Sequence, residues 1–222
     1  TTKTATNTTS ETVPASTFKA GGYIAMVAER DIPLTAATVQ SKDGGIALSA
    51  GRDLSLKAAQ ETHNVTQDST AKRKGTLSRT TTTSRSEVTD TIAVGTSLSG
   101  ARVDLAGGND LRLTAAVVAG DKGVTLAAGN DVILETGQNT RTESHRTDKK
   151  TSGAFSGGGV GVTVGKQKSG STLDIAQTTH TGTLIGSGEG RVDIVAGNNV
   201  AITGADVLSN AGTLISGKNV TI

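Results

Sequence analysis

One acidic or amide position recurs along this sequence and is its most regular polar feature. It precedes a short apolar segment in six places: Asp31, Asp53, Asp110, Asp131, Asn199 and Asn219. If the six places stack, four carboxylates form a line that oxygen-seeking Ca²⁺ could occupy. The alternative, which we favour, is that these side chains accept backbone N–H groups of their own turns and stack as a structural ladder. The GGND turn at 107–110 matches only half of a calcium-binding nonapeptide repeat, so no metal site is predicted.

Basic residues cluster in two Thr-rich segments that separate these motifs. The candidates for surface binding are Lys72, Arg73, Lys74, Arg79, Lys149, Lys150, Lys166 and Lys168. Such cations can engage sulfated glycans, lipopolysaccharide phosphates or nucleic acid. Aromatic stacking partners are missing, so no nucleic-acid partner is predicted. The alternative, which the sequence favours, is that charge keeps exposed arms soluble and discourages pairing at their edges.

The sequence offers little that supports catalysis. His63, His145 and His180 occupy non-equivalent places, and we expect no nucleophile or orienting carboxylate beside them. A carbohydrate-active β-helix enzyme, a polysaccharide lyase or hydrolase, is the runner-up interpretation. It would need paired acid and base residues and aromatic platforms beneath sugar rings, whereas the chain has two Phe, one Tyr and no Trp. A non-enzyme without a cofactor is predicted.

The elements that position these side chains follow from an internal repeat. Copies such as IALSAGRDLSL (46–56) and VTLAAGNDVIL (124–134) alternate apolar and polar residues, turn, and alternate again. Neighbouring copies are offset by 20 to 22 residues, the length of one β-helix coil. The segments that follow, at 35–39, 114–118 and 203–207, add a third short strand. The sequence therefore predicts an all-β solenoid with about 21 residues per coil.

Stacked coils should bury ladders of equivalent aliphatic residues, which would explain why aromatic residues are so few. One predicted ladder comprises Met26, Leu48, Leu105, Leu126, Ile194 and Leu214. Another comprises Leu34, Leu56, Leu113, Leu134, Ile202 and Ile222.

Coils and inserts alternate along a chain that we interpret as one fragment of a repeat array, residues 1–222. Coils are predicted near 20–56, 102–134 and 191–222. Inserts are predicted near 1–19, where the first is truncated, and at 57–101 and 135–190. Two Thr-rich arms around a basic centre indicate that each insert is a projecting antiparallel β-hairpin, and the hairpins should lie alongside each other. No signal peptide or apolar stretch of about 20 residues is present, so no transmembrane segment is predicted.

The AGNDV-type coils, the Thr-rich inserts and the segment SGGGVGVTVGKQKSG at 156–170 resemble the haemagglutinin repeats of filamentous haemagglutinin-type proteins exported by two-partner secretion. The resemblance extends to the filaments of contact-dependent growth inhibition toxins and covers essentially the whole chain. It implies a right-handed parallel β-helix that forms the shaft of an adhesin or of a toxin-delivery stalk. It also implies secretion to the cell surface of a Gram-negative bacterium through an outer-membrane transporter partner, and recognition of a receptor or glycan on a target cell.

Overall fold

The computed structural model describes residues 1–156 and 162–222, which form strands and turns only. The chain separates into two compact units. The helix unit contains residues Thr12–Glu61, Ile92–Asn139 and Thr179–Ile222, and the ribbon unit contains Thr1–Glu11, Thr62–Thr91 and Thr140–Thr178. Part of the quoted Gly-rich segment, residues 157–161, lies outside the described residues.

The helix unit is a parallel β-helix of six coils with three strands in each. The first two coils contain β2 (Thr17–Ala20), β3 (Ile24–Ala28), β4 (Ile32–Thr35), β5 (Thr38–Ser41), β6 (Ile46–Ala50) and β7 (Leu54–Lys57). The next two contain β10 (Ser97–Gly100), β11 (Val103–Gly107), β12 (Leu111–Thr114), β13 (Val117–Gly120), β14 (Val124–Ala128) and β15 (Val132–Glu135). The last two contain β18 (Thr183–Ser187), β19 (Val192–Ala196), β20 (Asn199–Ile202), β21 (Ala205–Ser209), β22 (Thr213–Ser216) and β23 (Asn219–Thr221).

Equivalent strands of successive coils pair in parallel and form three six-stranded sheets. Leu105 pairs with Leu48 on one side and Leu126 on the other, and Leu126 pairs with Ile194. These four side chains are fully buried, as are Leu56, Leu113 and Leu134 in the second ladder. Alternation along each strand turns every second residue inward, so the repeat predicts both the parallel fold and the interior ladders. The structure confirms the parallel fold throughout the helix unit and the ladders through the first five coils.

The last coil departs from the predicted alignment. Ile194 pairs with Ile215, and Leu214 lies opposite Asp193 with 43% of its surface exposed. The coil is one residue shorter at the following turn, because Asn219 again pairs with Asn199. Placing Leu214 in the interior ladder was therefore wrong. Ile222, the last member of the second predicted ladder, follows β23 and is 86% exposed.

Where no hairpin is inserted, the turn from the third strand of one coil to the first strand of the next contains a residue with a left-handed backbone conformation. Ala36, Ala115 and Gly204 have φ angles of 46°, 50° and 57° at equivalent places in the sequence motifs TAA, TAA and TGA. An alanine in this conformation is strained, so the surrounding packing must impose it.

The ribbon unit is an antiparallel sheet in the order β1 (Thr2–Glu11), β8 (Ala59–Lys74), β9 (Ser78–Val94), β16 (Gly137–Ser156) and β17 (Val162–Thr181). The predicted antiparallel hairpins are confirmed, and the two lie side by side because β9 pairs with β16 from Thr91 and Thr140 to Ser78 and Gly153. The predicted insert ranges 57–101 and 135–190 extend into β10 and β18, the first strands of the coils that follow.

Candidate functional site

The recurring Asp and Asn residues lie at or just before the starts of equivalent strands and form a column in the helix unit. Asp53 Oδ1 accepts the backbone N–H of Asp110 (3.3 Å) and the side-chain amide of Asn109 (2.9 Å). Asp110 Oδ1 accepts the same pair of bonds from the next coil, from Asp131 (3.2 Å) and Asn130 (2.8 Å). Each carboxylate therefore binds the following coil, which corrects the expectation that it would bind its own turn.

An arginine occupies one end of this column. Arg52 donates from Nε to Asp31 Oδ1 at 2.8 Å and also approaches Asp53 at 3.3 Å. The hydrogen bond from Arg52 holds the pKa of Asp31 below its usual range, and the backbone N–H of Asp53 acts in the same direction. The favourable ion pair offsets the repulsion between stacked carboxylates at this end.

Amides continue the column at its other end. Asn199 donates both its backbone N–H (3.0 Å) and its side-chain amide (2.8 Å) to Asp131 Oδ1, and Asn219 donates to Asn199 Oδ1 at 2.8 Å. The described residues contain no group of three or more His, Cys, Asp or Glu side chains arranged to hold a metal ion. The column is thus a continuous ladder of hydrogen bonds that joins all six coils.

The eight predicted basic residues all belong to the ribbon unit and are exposed. Four of them, Lys72, Lys149, Lys150 and Lys168, line one open depression of about 680 Å³, together with Arg146 and Asp148. The other four, Arg73, Lys74, Arg79 and Lys166, do not line it. Within the described part of the chain, none of the eight forms an ion pair with a carboxylate.

The histidines also lie on hairpin strands, and one of them has unexpected neighbours. His145 Nδ1 lies 3.0 Å from Ser86 Oγ, and its Nε2 lies 3.3 Å from Glu143. The expectation that no nucleophile or carboxylate would lie near a histidine was therefore wrong. Glu143 also binds Arg141 Nε at 2.6 Å, and this bond, followed by the one to His145, lowers the pKa of Glu143. Because β9 and β16 are paired on both sides, their N–H groups are not free to stabilise an oxyanion.

Two buried threonines that were not predicted from the sequence mark the points where the chain re-enters the coil after each hairpin. Thr96 Oγ1 lies 3.1 Å from the carbonyl oxygen of Lys57 and accepts the N–H of Ala37 at 3.3 Å. Thr183 Oγ1 lies 2.7 Å from the carbonyl oxygen of Glu135 and accepts the N–H of Ala116 at 3.3 Å. The available signal was a Gly-Thr pair at 95–96 and 182–183, because the uninterrupted coils have alanine in place of this threonine.

Comparisons with known proteins find sequence relatives along the whole chain. The sequence profile described as Hemagglutinin repeat matches residues 1–78 and 71–222. The tRNA nuclease CdiA-2 of Burkholderia pseudomallei is 30% identical over 95% of this chain. The 16S rRNA endonuclease CdiA of Enterobacter cloacae is 36% identical over 91% of it, and the deoxyribonuclease CdiA of Dickeya dadantii is 35% identical over 92%. The chain spans 6% of the length of each of these relatives. No solved structure matches it.

Proposed function

The chain belongs to the Hemagglutinin repeat family, and from this premise we propose that it is a shaft segment of a large secreted filament on the surface of a Gram-negative bacterium. In this proposal the chain has a structural and binding role and is not catalytic. An outer-membrane transporter partner exports it, and a receptor or glycan on a target cell is bound by the filament of which it is part. The part of the chain that the structure describes contains no helix that could span a membrane.

The observation that carries this proposal is the unbroken register of six coils. Three parallel sheets, two interior aliphatic ladders and the Asx column all run through the helix unit. Each coil contacts chiefly its neighbours, so such a stack can be extended by adding coils. A regular stack of this kind suits a spacer whose useful property is length.

The named relatives favour a delivery stalk over a free-standing adhesin. Three of them are named for nuclease activity, yet this chain matches only 6% of their length. A repeat segment that accompanies a nuclease in relatives is suited to presenting such a domain at a distance from the cell that makes it.

The runner-up, a carbohydrate-active enzyme, has weaker support. A groove of about 440 Å³ in the helix unit is lined by Asp31, Asp53 and Asp110. All three carboxylates already accept hydrogen bonds from the next coil. None of the residues that line the groove is aromatic, so a platform for sugar rings is lacking there. Incubation with acidic polysaccharides should therefore leave their chain length unchanged.

An in-phase excision tests the shaft role. Removing residues 37–115 from a full-length secreted protein that carries this segment joins Ala36 to Ala116 and recreates the sequence TAAVV found at 114–118. The deletion removes two coils and one hairpin, so the filament should shorten by about 10 Å at roughly 4.8 Å per coil. Electron microscopy measures the length, and a co-culture assay measures the effect on target cells, which should persist.

An out-of-phase excision of residues 37–105 is the matched control, because it joins segments of different register and should impair folding and export. Complete loss of the effect on target cells after the in-phase excision, with export intact, would contradict a spacer role. That result would place a specific receptor or catalytic site within the excised segment.

A further inference from the structure

Charge is distributed unequally between the two units. The ribbon unit carries 12 Lys and Arg against 7 Asp and Glu, whereas the helix unit carries 10 against 13. The near-neutral net charge of +2 for the whole chain therefore conceals a basic ribbon. A local excess of this kind attracts anions even when the net charge of the protein is small.

The excess is concentrated further within the ribbon. Residues 72–85 and 146–168 contain ten cations and a single acid, Asp148. Arg146 donates from Nε to Asp148 at 2.8 Å and so neutralises it. The other acids of the ribbon lie outside these stretches, where Arg141 already binds Asp90 and Glu143. These two stretches contain no second acidic residue that could balance the lysines and arginines without an ion-pair partner.

Strand register places several of these cations on one face of the sheet. Lys150 is directly opposite Thr81, and directly opposite residues share a face. The bond from Gly75 N to Ser78 O closes the first hairpin so that Lys72 faces Thr81 from the other side. A Cβ on Gly170 would meet Asp148 Oδ1, so Gly170 and, by alternation, Lys168 share the face of Asp148 and Lys150.

Lys72, Thr81, Lys150 and Lys168 therefore form a row across four neighbouring strands, and we call this surface the basic face. Alternation adds Lys74, Arg79 and Lys166 to the same face and puts Arg73 on the opposite one. Like charges on adjacent strands repel and destabilise a sheet. An anion that bridges them would remove this cost.

Protection against edge pairing accounts for only part of the arrangement. Lys166 and Lys168 lie on the edge strand β17, but Arg79 and Lys150 lie on β9 and β16, which are paired on both sides. Charges that block edges are needed on unpaired strands. Mixed charges on both faces would keep the ribbon equally soluble, so solubility does not explain the arrangement either.

We propose that the basic face binds a linear polyanion, specifically a polysaccharide that carries sulfate or phosphate groups. Lys72, Lys150 and Lys168 supply ion contacts at neighbouring points along its length, and the Thr81 hydroxyl supplies a hydrogen bond between them. Single-stranded nucleic acid fits less well, because its binding proteins stack bases on aromatic rings and Phe155 is the sole aromatic residue in the sequence of the ribbon unit. The proposal is independent of the shaft role, since a spacer needs no ligand.

Two single variants of the full chain test the proposal with equal changes in charge. K72Q removes a cation that belongs to the basic face and lines the depression, and R73Q removes the adjacent cation, which does neither. Binding is measured at low salt to dextran sulfate, phosphorylated dextran, unmodified dextran and single-stranded DNA of similar length. We expect K72Q to weaken binding to a charged dextran by about threefold and to reduce its salt dependence. R73Q should have a much smaller effect.

The comparison of sulfated with phosphorylated dextran identifies which anionic group is preferred, and binding of either one supports the proposal. Equal losses in the two variants would show unspecific charge attraction and overturn it. Tighter binding of single-stranded DNA than of both charged dextrans would overturn the proposal in favour of nucleic acid. If neither charged dextran binds, the proposal is also refuted. Circular dichroism of both variants confirms that the strands are retained.

Discussion

Replacing Leu126 with alanine is expected to destabilise the helix unit by about 2–5 kcal/mol, the range found when a buried leucine is truncated in a close-packed core. Leu126 is fully buried between Leu105 and Ile194 in the interior ladder. Hydrogen bonds hold the strands on both sides at fixed spacing, so the cavity cannot close by a shift of one coil. Urea denaturation followed by circular dichroism measures the change in the free energy of unfolding.

Leu214→Ala is the matched control for this truncation. Leu214 lies opposite Asp193 on an outer coil and is 43% exposed, so its truncation should change the free energy of unfolding far less than that of Leu126. Equal effects at the two positions would show that the sequence alignment of the last coil was right and the structural register wrong.

Replacing Thr96 with valine should cost about 1–3 kcal/mol, the penalty for leaving a buried polar group without its partner. The change preserves side-chain shape but removes the hydroxyl that binds the Lys57 carbonyl oxygen and the Ala37 N–H. Thr96 is 0% exposed, so water cannot replace the lost bonds. The midpoint of urea denaturation measures the loss, and hydrogen exchange at the Ala37 amide should accelerate more than at amides far from the junction.

Thr38→Val provides the control for this second substitution. Thr38 is partly exposed and pairs with Ser97, the residue after Thr96. Since it points away from the interior, its replacement should stay within about 0.5 kcal/mol, as is usual for surface sites. A similar loss of stability in both variants would mean that the hydroxyl of Thr96 is not what closes the coil after the hairpin.

The coil architecture was predictable because the same chemistry recurs at a fixed interval. Alternation fixes which face of each strand is buried, and the interval between copies fixes which residues stack. The prediction failed at Leu214 because the repeat copies were aligned on the turn that follows this strand. The last coil is one residue shorter at that turn. Side-chain pattern alone could not distinguish Leu214 from Ile215, since both are aliphatic and adjacent.

The details of the candidate sites were less accessible from sequence. The column of Asp and Asn was recognised, but its bonds to the following coil depend on the distance between coils. The contact of His145 with Ser86 depends on the pairing of one hairpin with the next, which no local pattern specifies. The clustering of basic residues on one face likewise follows from cross-strand register, and the sequence showed only that they were numerous.

Engineered disulfides provide the most direct test of the central claim that this chain is a regular stack of parallel coils in a shaft. The chain has no cysteine, so each introduced pair reports on one contact. Ala106 and Ala127 are register partners on outward-facing positions of neighbouring coils, and Ser49 lies one coil further along the same row. Adjacent strands are about 4.8 Å apart, within reach of a disulfide, whereas two spacings exceed its limit of roughly 7 Å.

We predict that A106C/A127C forms an intramolecular disulfide readily under mild oxidation and that S49C/A127C does not, as judged by mass spectrometry of peptides from the unreduced protein. The reverse outcome, a disulfide between positions 49 and 127 with positions 106 and 127 remaining reduced, would contradict the parallel coil stack and the shaft role built on it.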